Sequence, residues 1–325
     1  MSTHTDNVTN ESALSRRRFL AATGLVAAAG WLTPLRLYAQ DASGGIVNLI
    51  RKEAATAKIT VQSLRGNVSV LMGSGGNIGL LTGNDGKILV DAGITASRPR
   101  ITAALARISP DPIKYLINTH WHFDHTDGNE WLHAAGATIF AHENTLKRLS
   151  TSQRVEGWNF TFPPSPAGAL PTIILKADLS LQLNHTTLAL KYYNPAHTDS
   201  DISVHFADVD ILHVGDTWWN GYYPFIDYST GGNILGMIRA TEANLTRVTE
   251  KTIIIPGHGP VGNKSHLAEY RDMLVTIHDR VATLKKQGRS LDEVVAAKPT
   301  AAYDSKWGGF VITPDAFTGL VYSGV

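Results

Sequence analysis

The segment 120–125 restricts most strongly what this chain can fold into, because it reads His-Trp-His-Phe-Asp-His. With 13 His in 325 residues, such a pattern arises by chance in on the order of one chain in a thousand. It directly follows the apolar, strand-like run 115–118. Residues two apart in an extended segment face the same side, so His120 and His122 can bind one metal ion while Asp124 and His125 turn towards a second. The segment therefore predicts a metal site at the end of a strand.

The absence of Cys narrows the search for further ligands. Without a thiolate, a transition metal must be held by His, Asp or Glu. Three more residues of these types share one placement, directly after an apolar run. They are His197 after 187–193, Asp216 after 211–214 and His258 after 252–255. Side chains that leave the ends of several strands can converge on one pocket, and the two oxygens of a carboxylate such as Asp216 can bridge two cations.

Strand-like and helical periodicities alternate along the chain, which predicts a layered α/β core. The predicted strands are 67–73, 77–82, 87–90, 115–118, 173–175, 181–183, 187–193, 202–206, 211–214 and 252–255. The predicted helices are 98–108, 124–135, 143–149, 234–245 and 267–284, followed by a short helix with a Ser290 and Glu293 capping-box pattern. The segment 151–172 is rich in Pro, Gly, Ser and aromatic residues without a period, and is predicted to be a long loop. The last segment, 288–325, is predicted to be a helical appendage.

The first 39 residues differ in character from the rest. Residues 15–20 read Ser-Arg-Arg-Arg-Phe-Leu, an Ala- and Gly-rich apolar run follows, and Ala39 offers a small residue before a cleavage point. This pattern resembles a twin-arginine signal peptide, which would be recognised by the Tat export machinery. We expect residues 1–39 to be the signal, residues 40–325 the exported domain, and the location to be the periplasm or another exported one. A signal anchor or an amphipathic N-terminal tail is the alternative.

Charge and hydropathy exclude several classes of partner. The formal net charge is +1, and no basic run or stripe stands out after the N-terminus, so no nucleic-acid partner is expected. The N-terminal apolar run is too short to span a bilayer comfortably, and no other segment has the length and hydropathy to do so. We therefore expect no stable insertion of the mature protein in a membrane.

Taken in order, the segments that carry these residues resemble the motif set of the metallo-β-lactamase superfamily, from about residue 67 to residue 258. The resemblance implies an αββα four-layer sandwich with two mixed β-sheets. It also implies a first metal bound by His120, His122 and His197, a second metal bound by Asp124, His125 and His258, and Asp216 as the bridge between them. Asp91, which follows an early strand, would support the site from outside the ligand set.

Imidazoles and carboxylates without thiolates suit two zinc ions, and iron or manganese would also be accepted. Two such ions lower the pKa of a shared water, so that the resulting hydroxide can attack a carbonyl carbon. Asp124 can orient this nucleophile and pass its proton to the leaving group, which makes it the candidate catalytic residue. The sequence predicts a binuclear zinc hydrolase that cleaves an ester, lactone, thioester or amide of a small molecule.

Other functions remain open within the same resemblance. β-Lactamases of the superfamily generally have Cys or Ser where this chain has Asp216, whereas glyoxalase-II-like thioesterases and acyl-homoserine-lactone hydrolases have Asp. Export to the periplasm nevertheless favours a class B-like β-lactamase. An iron-dependent sulfur or redox enzyme is the next alternative, although its mononuclear relatives tend to lose second-site ligands that this chain keeps. A metal-dependent binding protein without turnover is the last.

The remaining histidines and the aromatic residues near the ligand segments are ambiguous from sequence. The histidines interpreted as structural are His142, His185, His205 and His213. The aromatic residues that flank the ligand segments are Trp121, Trp218, Trp219, Tyr222, Tyr223 and Phe225, and they fit packing as well as a pocket wall. In the predicted loop, Trp158, Phe160 and Phe162 are better candidates for closing over an apolar ligand.

Overall fold

The computed structural model describes residues 45–325, which begin with helix α1, Gly45–Ala54. The predicted export signal, residues 1–39, lies outside the described residues. In the described part of the chain, no helix combines the length and apolar character needed to cross a membrane.

The first sheet within residues 45–325 has seven strands in the order β1-β2-β3-β4-β5-β6-β9. Its strands are β1 Thr60–Ser63, β2 Val68–Met72, β3 Ile78–Leu81, β4 Lys87–Val90, β5 Ile113–Ile117, β6 Thr138–His142 and β9 Ile173–Leu175. Neighbours from β1 to β4 are antiparallel, and those from β4 to β9 are parallel. Strands β3 and β4 are buried along their whole length, and apart from Lys87 at the start of β4 they are continuous apolar runs.

The second sheet has five strands in the order β10-β11-β12-β13-β14. They are β10 Leu179–Leu183, β11 Thr186–Tyr192, β12 Ile202–Phe206, β13 Ile211–His213 and β14 Ile253–Ile255. The first four are antiparallel to their neighbours and β13 is parallel to β14. Both sheets are therefore mixed, as predicted.

Helices cover the outer face of each sheet, which gives four layers. On the first sheet they are α2 Arg98–Ile108, α4 Asn129–Ala134 and α5 Glu143–Leu149, while the short α3 Phe123–Thr126 follows β5. On the second they are α6 Ile234–Arg247 and α7 Lys264–Lys286, and against α7 pack α8 Leu291–Ala296, α9 Asp304–Trp307 and α10 Pro314–Ser323. One apolar cluster lies between the two sheets and includes Val70, Ile117 and Val204. Two further clusters lie under the helices of the two outer layers. The predicted αββα sandwich is confirmed.

Two local predictions were wrong. The helix predicted over 124–135 is divided into α3 and α4, because the chain bends at Gly128, whose backbone N–H donates to Gly93 O. A side chain at Gly128 would collide with Ala92 O, since its Cβ would lie 2.5 Å away. The predicted long loop 151–172 contains a hairpin of β7 Gln153–Val155 and β8 Phe160–Phe162. Each of its strands is only three residues long, which is too short to show a period.

The segment 288–325 is helical, and it belongs to the core of the outer layer. Trp307 is 1% exposed, and Phe317 and Val321 are fully buried in the apolar cluster beneath α7. The backbone N–H of Tyr223 donates to Trp307 O at 2.9 Å, which ties this segment to the chain beyond β13. The predicted capping box at the start of α8 is present, with Ser290 and Glu293 bonded reciprocally.

Candidate metal centre

The seven predicted ligand residues share one placement in the fold, at or just beyond the end of a strand. They are His120, His122, Asp124 and His125 after β5, His197 after β11, Asp216 after β13 and His258 after β14. Strand β5 belongs to the first sheet and the other three to the second. The ends of strands from both sheets thus meet at one edge of the sandwich, which brings together residues far apart in sequence.

The first group consists of His120, His122, His197 and Asp216, whose candidate ligand atoms all lie within 4.8 Å of one another. His122 Nδ1 lies 2.9 Å from His197 Nε2, and Asp216 Oδ2 lies 3.4 Å from the same Nε2. His120 Nε2 is 3.8 Å from Asp216 Oδ2. All four side chains are buried, so these polar atoms face one another and not water.

The second group consists of Asp124, His125 and His258, again with ligand atoms within 4.8 Å of one another. Asp124 Oδ2 is 3.2 Å from His258 Nε2 and 3.6 Å from His125 Nε2. The Asp124 side chain is 14% exposed, the largest value among the seven residues. It is therefore the member best placed to meet a water molecule or a substrate.

Asp216 lies between the two groups. Its Oδ2 faces the first group and also lies 3.4 Å from His258 Nε2, while its Oδ1 lies 3.1 Å from His125 Nε2. Gly257 backs the carboxylate so closely that a Cβ there would lie 1.9 Å from Asp216 Oδ1. The backbone therefore holds the Asp216 carboxylate between the two groups, where each oxygen can serve a different ion.

Four histidines have their outer ring nitrogen held by an acceptor that is not in the ligand set. The pairs are His120 Nδ1 with Thr119 Oγ1 at 3.0 Å, His122 Nε2 with Asp227 Oδ2 at 3.0 Å, His125 Nδ1 with Asp91 Oδ2 at 2.7 Å, and His197 Nδ1 with Phe225 O at 2.8 Å. The Thr119 hydroxyl donates its own proton to Asp91 Oδ2, so it can accept from His120. We assign the proton of each neutral ring to this outer nitrogen, which leaves a lone pair on the inner one.

These lone pairs test whether the residues fit a metal ion. With the assigned protons, His122 Nδ1 and His197 Nε2 face each other at 2.9 Å without a hydrogen between them. His120 Nε2 is buried with no hydrogen-bond partner. Converging lone pairs are unfavourable unless a cation lies between them, and a buried acceptor without a partner is costly. The first group therefore has the donor set, the burial and the unsatisfied atoms of a metal site.

Electrostatics separate the two groups in the metal-free protein. In the first group, burial lowers the pKa of His197 to about 4 and the pKa of His120 well below its ordinary value. In the second, burial acts in the same direction, but nearby carboxylates, Asp216 foremost, raise the pKa of His258 to about 9 and that of His125 well above its ordinary value. At neutral pH the rings of His120 and His197 are therefore neutral and can bind a cation. The rings of His125 and His258 are protonated on both nitrogens and carry a positive charge.

Metal uptake should therefore be pH-dependent in one group only. A metal bound by His258 and His125 must displace their protons, so the apparent affinity of the second ion should rise roughly tenfold per pH unit for each proton displaced as the pH rises towards 9. Zinc titration of the metal-free protein at pH 7, by calorimetry in two buffers of different protonation enthalpy, counts these protons. We expect about one to two with the second equivalent and about none with the first, and the reverse order would contradict the assignment.

Asp91 and Asp227 support histidines from opposite sides of the centre. Asp91 accepts from Thr119 N at 2.7 Å as well as from His125, and its own φ is +68°. Such a backbone conformation is strained for a residue other than Gly and fixes where the carboxylate points. Asp227 also accepts from Thr230 Oγ1 at 2.6 Å, and, although burial opposes ionisation, its contact with His122 lowers its pKa to about 2. Sequence analysis singled out Asp91 and missed Asp227.

Aromatic side chains flank both groups. Beside the first group, the Trp158 ring lies 4.8 Å from the His122 ring and stacks on Phe225 at 4.9 Å. Beside the second, Trp219 lies 4.3 Å and Phe310 6.3 Å from the His258 ring. Phe310 belongs to the C-terminal segment and was not predicted to be near the site.

The other histidines singled out by the sequence lie outside both groups. His142 stacks on Tyr192 at 3.8 Å and its Nδ1 accepts from Asn144 N at the start of α5. His213 is buried and makes hydrogen bonds with the backbone of Asn77 and Gly215. These contacts are those of residues that support the fold.

Comparisons with known proteins agree with this geometry. The sequence profile of the metallo-beta-lactamase superfamily matches residues 71–258, more than half of the chain. The fold and the paired His and Asp groups define a two-sheet α/β protein with a candidate binuclear metal centre. The chain belongs to the metallo-beta-lactamase superfamily.

Individual relatives are distant. A linear primary-alkylsulfatase of Pseudomonas sp. is 24% identical over 65% of this chain and 47% of its own length. A hydroxyacylglutathione hydrolase of Polaromonas sp. is 26% identical over 50% of this chain and 54% of its own length. The structure of a stereoselective inverting sec-alkylsulfatase from Pseudomonas sp. superposes with a TM-score of 0.62 at 17% identity, over 89% of this chain and 54% of that one. The chain thus spans about half the length of these relatives, and the structural likeness shows the fold alone.

Proposed function

We propose that this chain is a hydrolase that uses two metal ions, with zinc as the first choice, to cleave a carbonyl-type bond of a small molecule. The observation that carries the proposal is the position of Asp216, whose oxygens face ligand atoms of both groups. The first ion would be held by His120, His122 and His197 and the second by Asp124, His125 and His258, with Asp216 shared. A His and carboxylate set without thiolate suits zinc and also accepts iron or manganese.

Metal ions bound there would lower the pKa of a water molecule and polarise the scissile group. The residues of the chain would transfer the proton and keep bulk water away from the reacting bond. Burial acts to raise the pKa of Asp124, but His125 and His258 outweigh it and lower the pKa, so this side chain is a carboxylate at neutral pH. As the most exposed of the seven, it can accept a proton from the attacking water at Oδ1, the oxygen that is not turned towards His125 and His258, and deliver it to the leaving group. The other six are buried or nearly so, which excludes bulk water.

Sulfate ester hydrolysis is the second candidate. It is favoured by the sequence similarity to a linear primary-alkylsulfatase, which extends over 65% of this chain. The hydroxyacylglutathione hydrolase points instead to a thioester or a related carbonyl compound. A β-lactam substrate is disfavoured because Asp216 stands where β-lactamases of the superfamily generally have Cys or Ser.

Substrate turnover by metal-stripped and zinc-reloaded protein tests the proposal. The panel contains a thioester, an acyl-homoserine lactone, an alkyl sulfate ester, nitrocefin and a bis-aryl phosphodiester, with His197→Ala as the blank. Zinc-restored turnover of the thioester or lactone supports a carbonyl hydrolase. Turnover of the sulfate ester alone would instead support sulfate ester hydrolysis. No zinc-restored turnover of any compound, or a single tightly bound iron per chain, would contradict the hydrolase proposal.

We also propose, from the pattern of residues 1–39 alone, that the chain is exported by the twin-arginine route to the periplasm. These residues lie outside the described part of the chain, so the location rests on the sequence. The twin-arginine route carries folded proteins, which suits a chain that acquires its metal before export.

A further inference from the structure

The aromatic residues around the centre come from two segments that approach it from different sides. One is the turn between β7 and β8, which carries Trp158 against His122 and Phe225. The other is the C-terminal segment, which carries Phe310 against Trp219 at 6.0 Å and against Tyr222 at 4.6 Å. Each ligand group thus has its own aromatic wall.

The outer rings of both walls remain accessible. Trp158, Tyr222 and Phe310 are partly exposed, while Phe225 and Trp219 behind them are buried. An exposed ring that rests on a buried ring keeps a fixed orientation and offers a flat apolar face, which is the arrangement found where a protein binds apolar or aromatic groups. Packing alone does not require the outer rings to remain accessible this close to the ligand residues His122 and His258.

Within residues 45–325, the cations closest in sequence to Trp158 and Phe310 are already paired with acids, Arg154 with Glu156 and Lys306 with Glu269. In residues 45–325, no Lys or Arg lies within ion-pair distance of Asp124 or Asp216, whose ion-pair partners are all His. Arg51, which packs on Phe123 and Phe160, is paired with Asp127 at 3.1 Å. An anionic group remote from the metal ions would lose water without gaining a partner, which is costly.

We propose that Trp158, Phe225, Trp219, Tyr222 and Phe310 form an aromatic cleft that binds the non-reacting part of the substrate, and that this part is uncharged and apolar or aromatic. The inference deepens the proposed function and rests on it for the location of the reacting bond. Phe310 makes the cleft a property of this chain beyond the family match, which ends at residue 258. The C-terminal segment is therefore part of substrate selection.

The test uses ligands that need no turnover. 4-Phenylbutanohydroxamic acid and its analogue with a para-carboxylate on the ring carry the same metal-binding hydroxamate and differ only in charge at the far end. Their dissociation constants for the zinc-loaded protein are measured by calorimetry. We expect the uncharged ligand to bind about tenfold more tightly, and Phe310→Ala and Trp158→Ala each to remove most of that preference.

The matched control is Tyr322→Ala, which removes another partly exposed aromatic ring, one that contacts Lys285 and Arg289 and lies outside both walls. Phe310→Leu keeps apolar volume without a ring and should give an intermediate affinity. Circular dichroism and zinc content establish that each variant is folded and loaded. Three results would overturn the proposed cleft. They are equal or tighter binding of the carboxylated ligand, no binding of the uncharged one, and wild-type affinities in both wall variants. Failure of hydrolysis with the binding preference intact would overturn only the proposed reaction.

Discussion

Asp216→Asn should lower kcat/KM by roughly 10³-fold or more, a barrier increase of about 4 kcal/mol. Asn keeps the shape of the side chain but loses the negative charge and one of the two oxygens. In the wild type, Oδ1 faces His125 and Oδ2 faces His197 and His258. Loss of the charge weakens both groups at once, so the zinc content after dialysis should fall together with activity. Activity is measured on the substrate that the panel identifies, and the zinc content is measured on the dialysed protein.

A second variant tests whether activity depends on the position of the Asp216 carboxylate as well as on its charge. Gly257→Ala changes none of the ligand residues, but its Cβ would lie 1.9 Å from Asp216 Oδ1 and must displace the carboxylate. We expect a loss of activity of similar order. Gly168→Ala is the matched control, since its Cβ would meet Glu130 Cγ at an ordinary 3.6 Å. Wild-type activity with full zinc content in Asp216→Asn would show that this carboxylate does not bridge two ions.

Trp307→Ala should lower the free energy of unfolding of the metal-free protein by about 3–5 kcal/mol. The indole is 1% exposed and packs against the ring of Tyr270 at a centroid distance of 5.7 Å. Its removal leaves a cavity under α7 that backbone movement can fill only in part. Urea unfolding followed by circular dichroism measures the change. Tyr322→Ala, at the partly exposed end of α10, should cost less than about 1 kcal/mol.

The result also decides what the C-terminal segment is. A large effect of Trp307→Ala, with one unfolding transition, means that α9 and α10 unfold together with the two-sheet core. An effect below about 1 kcal/mol, or a separate early transition, would make residues 288–325 an independent appendage, as the sequence alone suggests. Placement of Phe317 and Val321 in the buried cluster favours the first outcome.

The layers of the fold were predictable because the signal for them is local. Buried strands such as β3 are unbroken apolar runs, and α2 has a clear period with Pro at its start, so their types follow from neighbouring residues. The same locality explains why the seven ligand positions could be proposed, since each lies within eight residues of the end of a strand. Superfamily membership, inferred from the order of those segments, is confirmed by the match to residues 71–258.

What could not be predicted depends on contacts between distant parts of the chain. Asp227 and His122 are 105 residues apart, and no pattern around Asp227 marks it as a partner of a histidine. Phe310 contacts the ring of His258 only because α7 to α10 fold back over the second sheet. The break at Gly128 is equally non-local, since it depends on the carbonyl oxygens of Ala92 and Gly93. Pairings of this kind are fixed by tertiary packing.

The spread of the ligands along the chain bears on when an ion can be captured during biosynthesis. His122 and His197 are 75 residues apart, and His125 and His258 are 133 residues apart. A nascent chain on the ribosome therefore has no complete second group until residue 258 has emerged and β14 has joined its sheet. Closing loops of this length is slow relative to forming a helix. Metal uptake by the proposed centre would thus come late in folding and would mark chains that have assembled both sheets.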